Sequence, residues 1–160
     1  MAGRRSFGGD REDRDYLALA LRFLARSDKT AARIEEYLRG KGAGAQQCRS
    51  VVRELERRGY LNDQAFATRW AGAQLARRPM GRERLKAELL RRGFSDAVTE
   101  TALRKAFGDR SEADLASLAL EKRSGGRRSG QNVRFLRQRG FDDETIEDVT
   151  GINLDAAAEE

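Results

Sequence analysis

The side chains nearest to a metal-assisted active site are Glu83, Lys86 and Glu88. A metal nuclease needs two or three carboxylates and a lysine converging on one point. On a helix, the i, i+3 and i+5 spacing of these three spreads them around the axis instead. The sequence has no histidine, which removes a Ser-His-Asp triad, an imidazole metal site and a histidine general base. Its one cysteine, Cys48, lies on an apolar stripe with Val51, Val52 and Leu55 and reads as a buried, inert thiol. A lone cysteine forms neither an internal disulfide nor a cysteine zinc cluster and fits a reducing, cytoplasmic setting. No catalytic, cofactor-binding or metal-binding residue is expected, and the protein reads as a non-enzyme.

What the sequence holds in quantity is guanidinium. Of its 160 residues 27 are Arg and 5 are Lys, against 26 acids, for a net charge of +6. Residues 141–160 carry eight acids and no base, so the first 140 residues carry +14 and the last twenty −8. A basic body with an acidic tail points to a polyanionic or acidic partner, and to a tail that competes for the same surface. Guanidinium forks grip phosphate and carboxylate in bidentate fashion. The candidate partner-binding residues are Arg57, Arg58, Arg69, Arg77, Arg78, Arg82, Arg84, Arg91, Arg92, Arg127, Arg128 and Arg134. Against them stands a plainer reading, in which codon bias raises the arginine content and the side chains solvate helix faces or stabilise helix ends. Trp70, Phe66 and Tyr60 are candidate stacking platforms for bases, but helical spacing among alanines assigns them to the core.

Helices must position these groups. Leu17, Ala20, Leu21 and Leu24 fall at i, i+3, i+4 and i+7, and comparable stripes recur through Ile146 and Val149. Nothing alternates with period two, so the pattern gives nine helices and no sheet. Gly42, Gly59, Gly93 and Gly140 each follow a basic residue and close an apolar stripe, as left-handed C-caps do. Asn62 or Asp63, Ser95 or Asp96, and Asp142 offer N-caps, and Asp109 with Glu112 has capping-box spacing. Pro79 marks the link between the fourth and fifth helices, Ser124 to Gly130 (SGGRRSG) reads as a flexible cationic connector, and residues 1–13 and 151–160 are expected to fray.

One unit then repeats: Leu, three residues, Gly, then an aromatic. It occurs as LERRGYLND at 55–63, LLRRGFSDA at 89–97 and FLRQRGFDDE at 135–144, with a fainter copy YLRGKGAGA at 37–45. Glycine turns the chain back, the aromatic packs onto the helix just left, and an acid restarts a helix. Gly42, Gly93 and Gly140 are 51 and 47 residues apart. Such units bury their apolar faces only by stacking. The expected fold is all-α: three tandem three-helix modules of helix-turn-helix type, stacked into an elongated, curved array. They span 14–59, 60–108 and 109–150, between a flexible N-terminal segment at 1–13 and a flexible acidic tail at 151–160. The longest uninterrupted apolar run, Tyr16 to Leu21, is six residues against the roughly 20 that cross a bilayer. The opening MAGRRSFGGDREDRD is charged where a signal peptide is apolar. A cytoplasmic protein with no membrane partner is expected.

The strings ERRGYLNDQAFATRWA (Glu56 to Ala71), GRERLKAELLRRGFSD (Gly81 to Asp96) and VRFLRQRGFDDETIEDV (Val133 to Val149) resemble the RecX family over residues from about 15 to 150. The resemblance implies three tandem three-helix modules, a cytoplasmic monomer without catalysis or cofactor, and binding to the RecA protein along the helical groove of the RecA–single-strand DNA filament. It further implies restraint of filament growth, ATP hydrolysis, strand exchange and the co-protease activity that triggers the SOS response, within DNA repair and homologous recombination. The cationic body is compatible with direct contact to DNA. Two other readings stay open: a nucleic-acid-binding helical repeat protein that acts without RecA, and a helical scaffold for another acidic protein.

Overall fold

A computed structural model describes residues 15–123 and 129–154. Among these residues there are nine α-helices and no strand. They divide into two compact units at the Leu61–Asn62 bond.

Unit 1 holds α1 (Tyr16–Leu24), α2 (Ala31–Gly40) and α3 (Ala45–Arg57), each packed on the other two. Asp15 and Thr30 start the first two helices by accepting from the Ala18 and Arg33 N–H groups at 3.0 and 3.2 Å. At α3 the cap Gly44 has no side chain, and Gln47 reaches back to accept from its N–H at 2.8 Å. The core is small: Tyr16, Ala20, Ile34, Leu38, Ala43, Cys48, Val52, Leu55 and Leu61. Cys48 is 1% exposed, with its thiol over the Glu35 carbonyl.

Unit 2 holds α4 (Asp63–Arg77), α5 (Arg82–Arg91), α6 (Asp96–Phe107), α7 (Glu112–Glu121), α8 (Ser129–Gln138) and α9 (Asp143–Thr150). α4, α5 and α6 pack together, as do α7, α8 and α9. The two triplets share a single core that runs from Ala67 and Leu75 through Leu85, Leu103 and Leu115 to Leu136 and Ile146. Asn62, Ser95 and Asp142 are the caps of α4, α6 and α9.

The glycine turns follow two series. Gly42, Gly93 and Gly140 lie between the second and third helices of each triplet, while Gly59, Gly108 and Gly151 follow the third; all six have positive φ. The aromatic after the glycine is buried only in the first series: Phe94 is 3% and Phe141 4% exposed, whereas Tyr60 is 60% exposed. The expectation that Tyr60 packs back into the core is therefore corrected. After Gly59 the chain continues toward α4, and Leu61 takes the interior place, its N–H on the Leu55 carbonyl at 3.3 Å.

Three further expectations change. The capping box of α7 is Ser111 with Asp114, not Asp109 with Glu112. Ser111 Oγ accepts from the Asp114 N–H at 3.1 Å, and Asp114 Oδ2 accepts from the Ser111 N–H at 2.8 Å. Glu112 is turned elsewhere: its Oε1 accepts from the Arg82 N–H at 3.0 Å and supplies the cap that Gly81 lacks at α5. The tail does not fray at residue 151, because Ile152 and Leu154 pack on the core of unit 2 and the Leu154 N–H bonds Glu147 Oε1 at 2.6 Å. The connector read over Ser124 to Gly130 ends early, since α8 begins at Ser129. Residues 1–14, 124–128 and 155–160 lie outside the described residues.

A close backbone approach in unit 2 joins the α4–α5 link to the α8–α9 turn. The Gly81 N–H donates to the Arg139 carbonyl at 3.0 Å, and a Cβ at Gly81 would fall 2.5 Å from the Gly140 carbonyl carbon. Only glycine allows that seam.

Candidate partner-binding surface

Because the candidate residues are arginines, what each guanidinium touches decides what charge it can offer. Arg57 and Arg58, at the end of α3, both grip Glu54, at 2.7 and 2.5 Å. Their hydrogen bonds hold the Glu54 carboxyl down at about 2. Glu54 offsets one of these two positive charges. Arg69 lies over the Phe66 ring at 5.7 Å, and Arg92 over Trp70 at 4.2 Å. Phe66 and Trp70 are partly buried against the core, as the helical spacing predicted. Arg91 ends α5 and Arg134 is exposed on α8. Arg127 and Arg128 lie outside the described residues.

Of the remaining candidates, Arg78 and Arg84 meet near the seam of unit 2. Arg77, in the last turn of α4, donates to Gln74 Oε1 at 3.2 Å. Arg78, the next residue, is exposed. Arg84 leans on Gly140, where a Cβ would come within 2.5 Å of its own, and donates to the Gln138 carbonyl. Its carboxylate partner is Glu88, at 3.6 Å. Arg82 is turned away: it pairs with Glu100 at 3.8 Å and lies over Phe107.

Three cations outside the candidate set join Arg78 and Arg84. Arg139 Nη1 donates to the Pro79 carbonyl at 3.3 Å while its guanidinium lies 4.8 Å from the Phe135 ring centre. Arg123 lies over the same ring at 5.1 Å and donates to Asn132 Oδ1 at 2.8 Å. Lys122 Nζ donates to the Ala76 carbonyl. Partial burial, then the charges of Arg78 and Arg84, pull the Arg139 guanidinium below its ordinary pKa. The ends of α4, α7 and α8 and the first turn of α5 thus bring cations together from positions up to 61 residues apart. Arg139 shows in the sequence as one of the arginines preceding a glycine, but nothing in its spacing ties it to Pro79.

The possible nuclease set is dispersed. Lys86 pairs with Glu100 at 2.7 Å across to α6, whereas Glu88 faces Arg84 and Gln74 on the α4 side. Among the described residues no group of three or more His, Cys, Asp or Glu could hold a metal ion, and no helix is long and apolar enough to cross a membrane.

Comparison with known proteins places this arrangement. The family model described as RecX, second three-helix domain, matches residues 62–103, which is α4, α5 and most of α6. A "Regulatory protein RecX" of Trichlorobacter lovleyi is 30% identical over 146 residues, covering 86% of this chain and 95% of the relative. Another of Thermus thermophilus is 35% identical over 127 residues, covering 79% and 84%. In fold, the chain is similar to the crystal structure of RecX from Lactobacillus salivarius, with a TM-score of 0.71 at 18% identity over 85% of this chain and 92% of that one. With 30% identity over 95% of the Trichlorobacter relative and a family-model match across α4, α5 and most of α6, this chain belongs to the RecX family of regulatory proteins.

Proposed function

We propose that the protein is a cytoplasmic regulator that binds RecA and its filament on single-stranded DNA, and there restrains ATP hydrolysis, strand exchange and co-protease activity. The supporting observation is the match to a regulatory RecX protein across 95% of its length. The cationic surplus of the first 140 residues suits a groove lined by DNA phosphate and acidic side chains. On this reading the three helix triplets act as tandem modules on one filament, and no step requires catalysis.

The test is RecA-dependent ATP hydrolysis on single-stranded DNA, with and without substoichiometric protein. Slowed hydrolysis is expected; an unchanged rate at modest salt with a folded sample would refute the reading. A nucleic-acid-binding protein that acts without RecA is the second reading, favoured by the seam cations, of which only Arg84 pairs with a carboxylate among the described residues. It predicts equal affinity for bare DNA and for the assembled filament. Markedly tighter binding to the filament excludes it.

A further inference from the structure

Five cations of unit 2 converge at the seam, and their partners leave most of their hydrogen-bonding capacity unspent. Arg84 and Lys122 each donate to a carbonyl at a helix end, Arg139 to the Pro79 carbonyl, and Arg123 to an amide oxygen. A guanidinium carries five N–H donors in a rigid fork, so each of these arginines keeps several. Among the described residues the one carboxylate paired with any of the five is Glu88, on Arg84. Several arginines elsewhere are answered by acids three or four residues away, as at Glu36, Glu35 and Glu54. At the seam Arg84 and Arg139 rest on carbonyls, Arg123 on an amide oxygen, and Arg123 and Arg139 on the Phe135 ring, contacts that orient them without themselves cancelling charge.

We infer that this seam is a seat for the phosphodiester backbone of a single nucleic-acid strand, held by Arg78, Arg84, Arg139 and Arg123 with Lys122 beside them. A protein carboxylate brings one charge, which one guanidinium balances. Several forks held side by side call for several anionic groups at short, regular intervals, which a nucleic-acid backbone supplies and scattered acidic side chains do not. The positive charges of Arg78 and Arg84 act on Arg139, and a bound anion relieves that repulsion. The contacts reach phosphate and not base edges, so the seat reads no sequence. The strand's identity as the DNA of a RecA filament rests on the proposed function; the seat itself does not.

The test is fluorescence anisotropy of a labelled oligothymidylate with the full chain and no RecA, across a salt series. Wild type should bind with a steep salt dependence. The triple variant Arg78→Gln/Arg84→Gln/Arg139→Gln should flatten the log–log slope by about 2, at roughly 0.7 per lost contact, and weaken binding on the order of 100-fold at 0.1 M salt. The control removes the same charge from unit 1 by Arg33→Gln/Arg39→Gln/Arg57→Gln and should leave the slope near wild type. Equal losses in both variants, or no binding by wild type, overturn the seat. So does a triple variant that binds the oligonucleotide normally yet no longer slows RecA, because the seat would then take acidic protein groups. Should the triple variant lose its circular-dichroism signal, Arg78→Glu replaces it. That exposed side chain should cost at least about tenfold in affinity by charge reversal, and an unchanged affinity overturns the seat. Failure of wild type to slow RecA would refute the proposed function and leave the oligonucleotide result standing.

Discussion

Unit 1 answers four of its arginines locally: Arg33 with Glu36, Arg39 with Glu35, and Arg57 and Arg58 with Glu54. Unit 2 answers its seam arginines across the fold, on the Pro79 and Gln138 carbonyls and the Phe135 ring. The units also differ inside. Unit 1 places Ala43 after its turn glycine and keeps Phe23 and Tyr37 only partly buried, stacked at 4.2 Å, whereas unit 2 buries Phe94 and Phe141. Exposed ion pairs contribute only about 0.2–1 kcal/mol each, so those of unit 1 chiefly cancel charge. Cations fixed on backbone keep theirs. Arginine content is therefore a poor guide to where a basic protein presents its field; the partner of each arginine decides it.

The largest expected effect separates the cores. Leu38→Ala and Leu136→Ala each empty a fully buried site and should cost about 2–5 kcal/mol. Trp70 is the single tryptophan and sits in α4, so its fluorescence follows unit 2 while circular dichroism follows both. Leu136→Ala should lower the urea midpoint seen by Trp70, and Leu38→Ala should lower only a transition seen by circular dichroism. Equal movement of the Trp70 midpoint by both would show one cooperative body.

Next comes the seam. Gly81→Ala drives a methyl against the Gly140 carbonyl and should destabilise unit 2 by about 1–3 kcal/mol. Gly72→Ala, mid-helix in α4 with open space around it, should stabilise the same unit by about 0.5–1 kcal/mol. Denaturation curves of the two that shift in the same direction would contradict the close approach. Smaller again is the α7 cap. Ser111→Ala should cost about 1 kcal/mol, with Asp109→Ala near wild type, and the reverse order in thermal melts would restore Asp109 as the cap.

The smallest effect has opposite signs in the two units. Arg57 and Arg58 hold the folded-state pKa of Glu54 below its unfolded value, so its stabilisation is present above pH 4.5 and is lost as pH falls toward about 2. Burial raises that of Glu112, so ionisation is disfavoured in the folded state. Its penalty is absent below pH 4.5 and grows as pH rises through the raised value. Glu54→Gln should flatten the acid loss of stability, and Glu112→Gln should remove the penalty above it while keeping an acceptor for the Arg82 N–H. Urea midpoints across the acid range check both signs, and a like-signed response would erase the contrast between the units.

Helix number, the glycine turns and most caps were legible in the sequence because they are local: an apolar stripe, a glycine after a basic residue and a cap all lie within a few neighbours. The errors fall where locality ends. Gly59 carries the same Leu-x-x-x-Gly-aromatic string as Gly93 and Gly140, but it follows a third helix, not a second, so Tyr60 faces solvent. Asp109 and Glu112 had the right spacing for a cap, yet Glu112 is recruited by a bare N–H thirty residues away. Of the candidate site, Arg78 and Arg84 were named for their crowding in sequence. Arg139 joins them through the Pro79 carbonyl and Arg123 through the Phe135 ring that both share, and no periodicity encodes that meeting.

The sulfur of Cys48, sealed inside unit 1 against the Glu35 carbonyl, has a practical corollary. A maleimide reaches it only when those three helices part, so a cysteine engineered on the surface takes a dye selectively in the native protein. The slow labelling of Cys48 itself then becomes a clock that times the spontaneous opening of the N-terminal helices, with or without a partner bound.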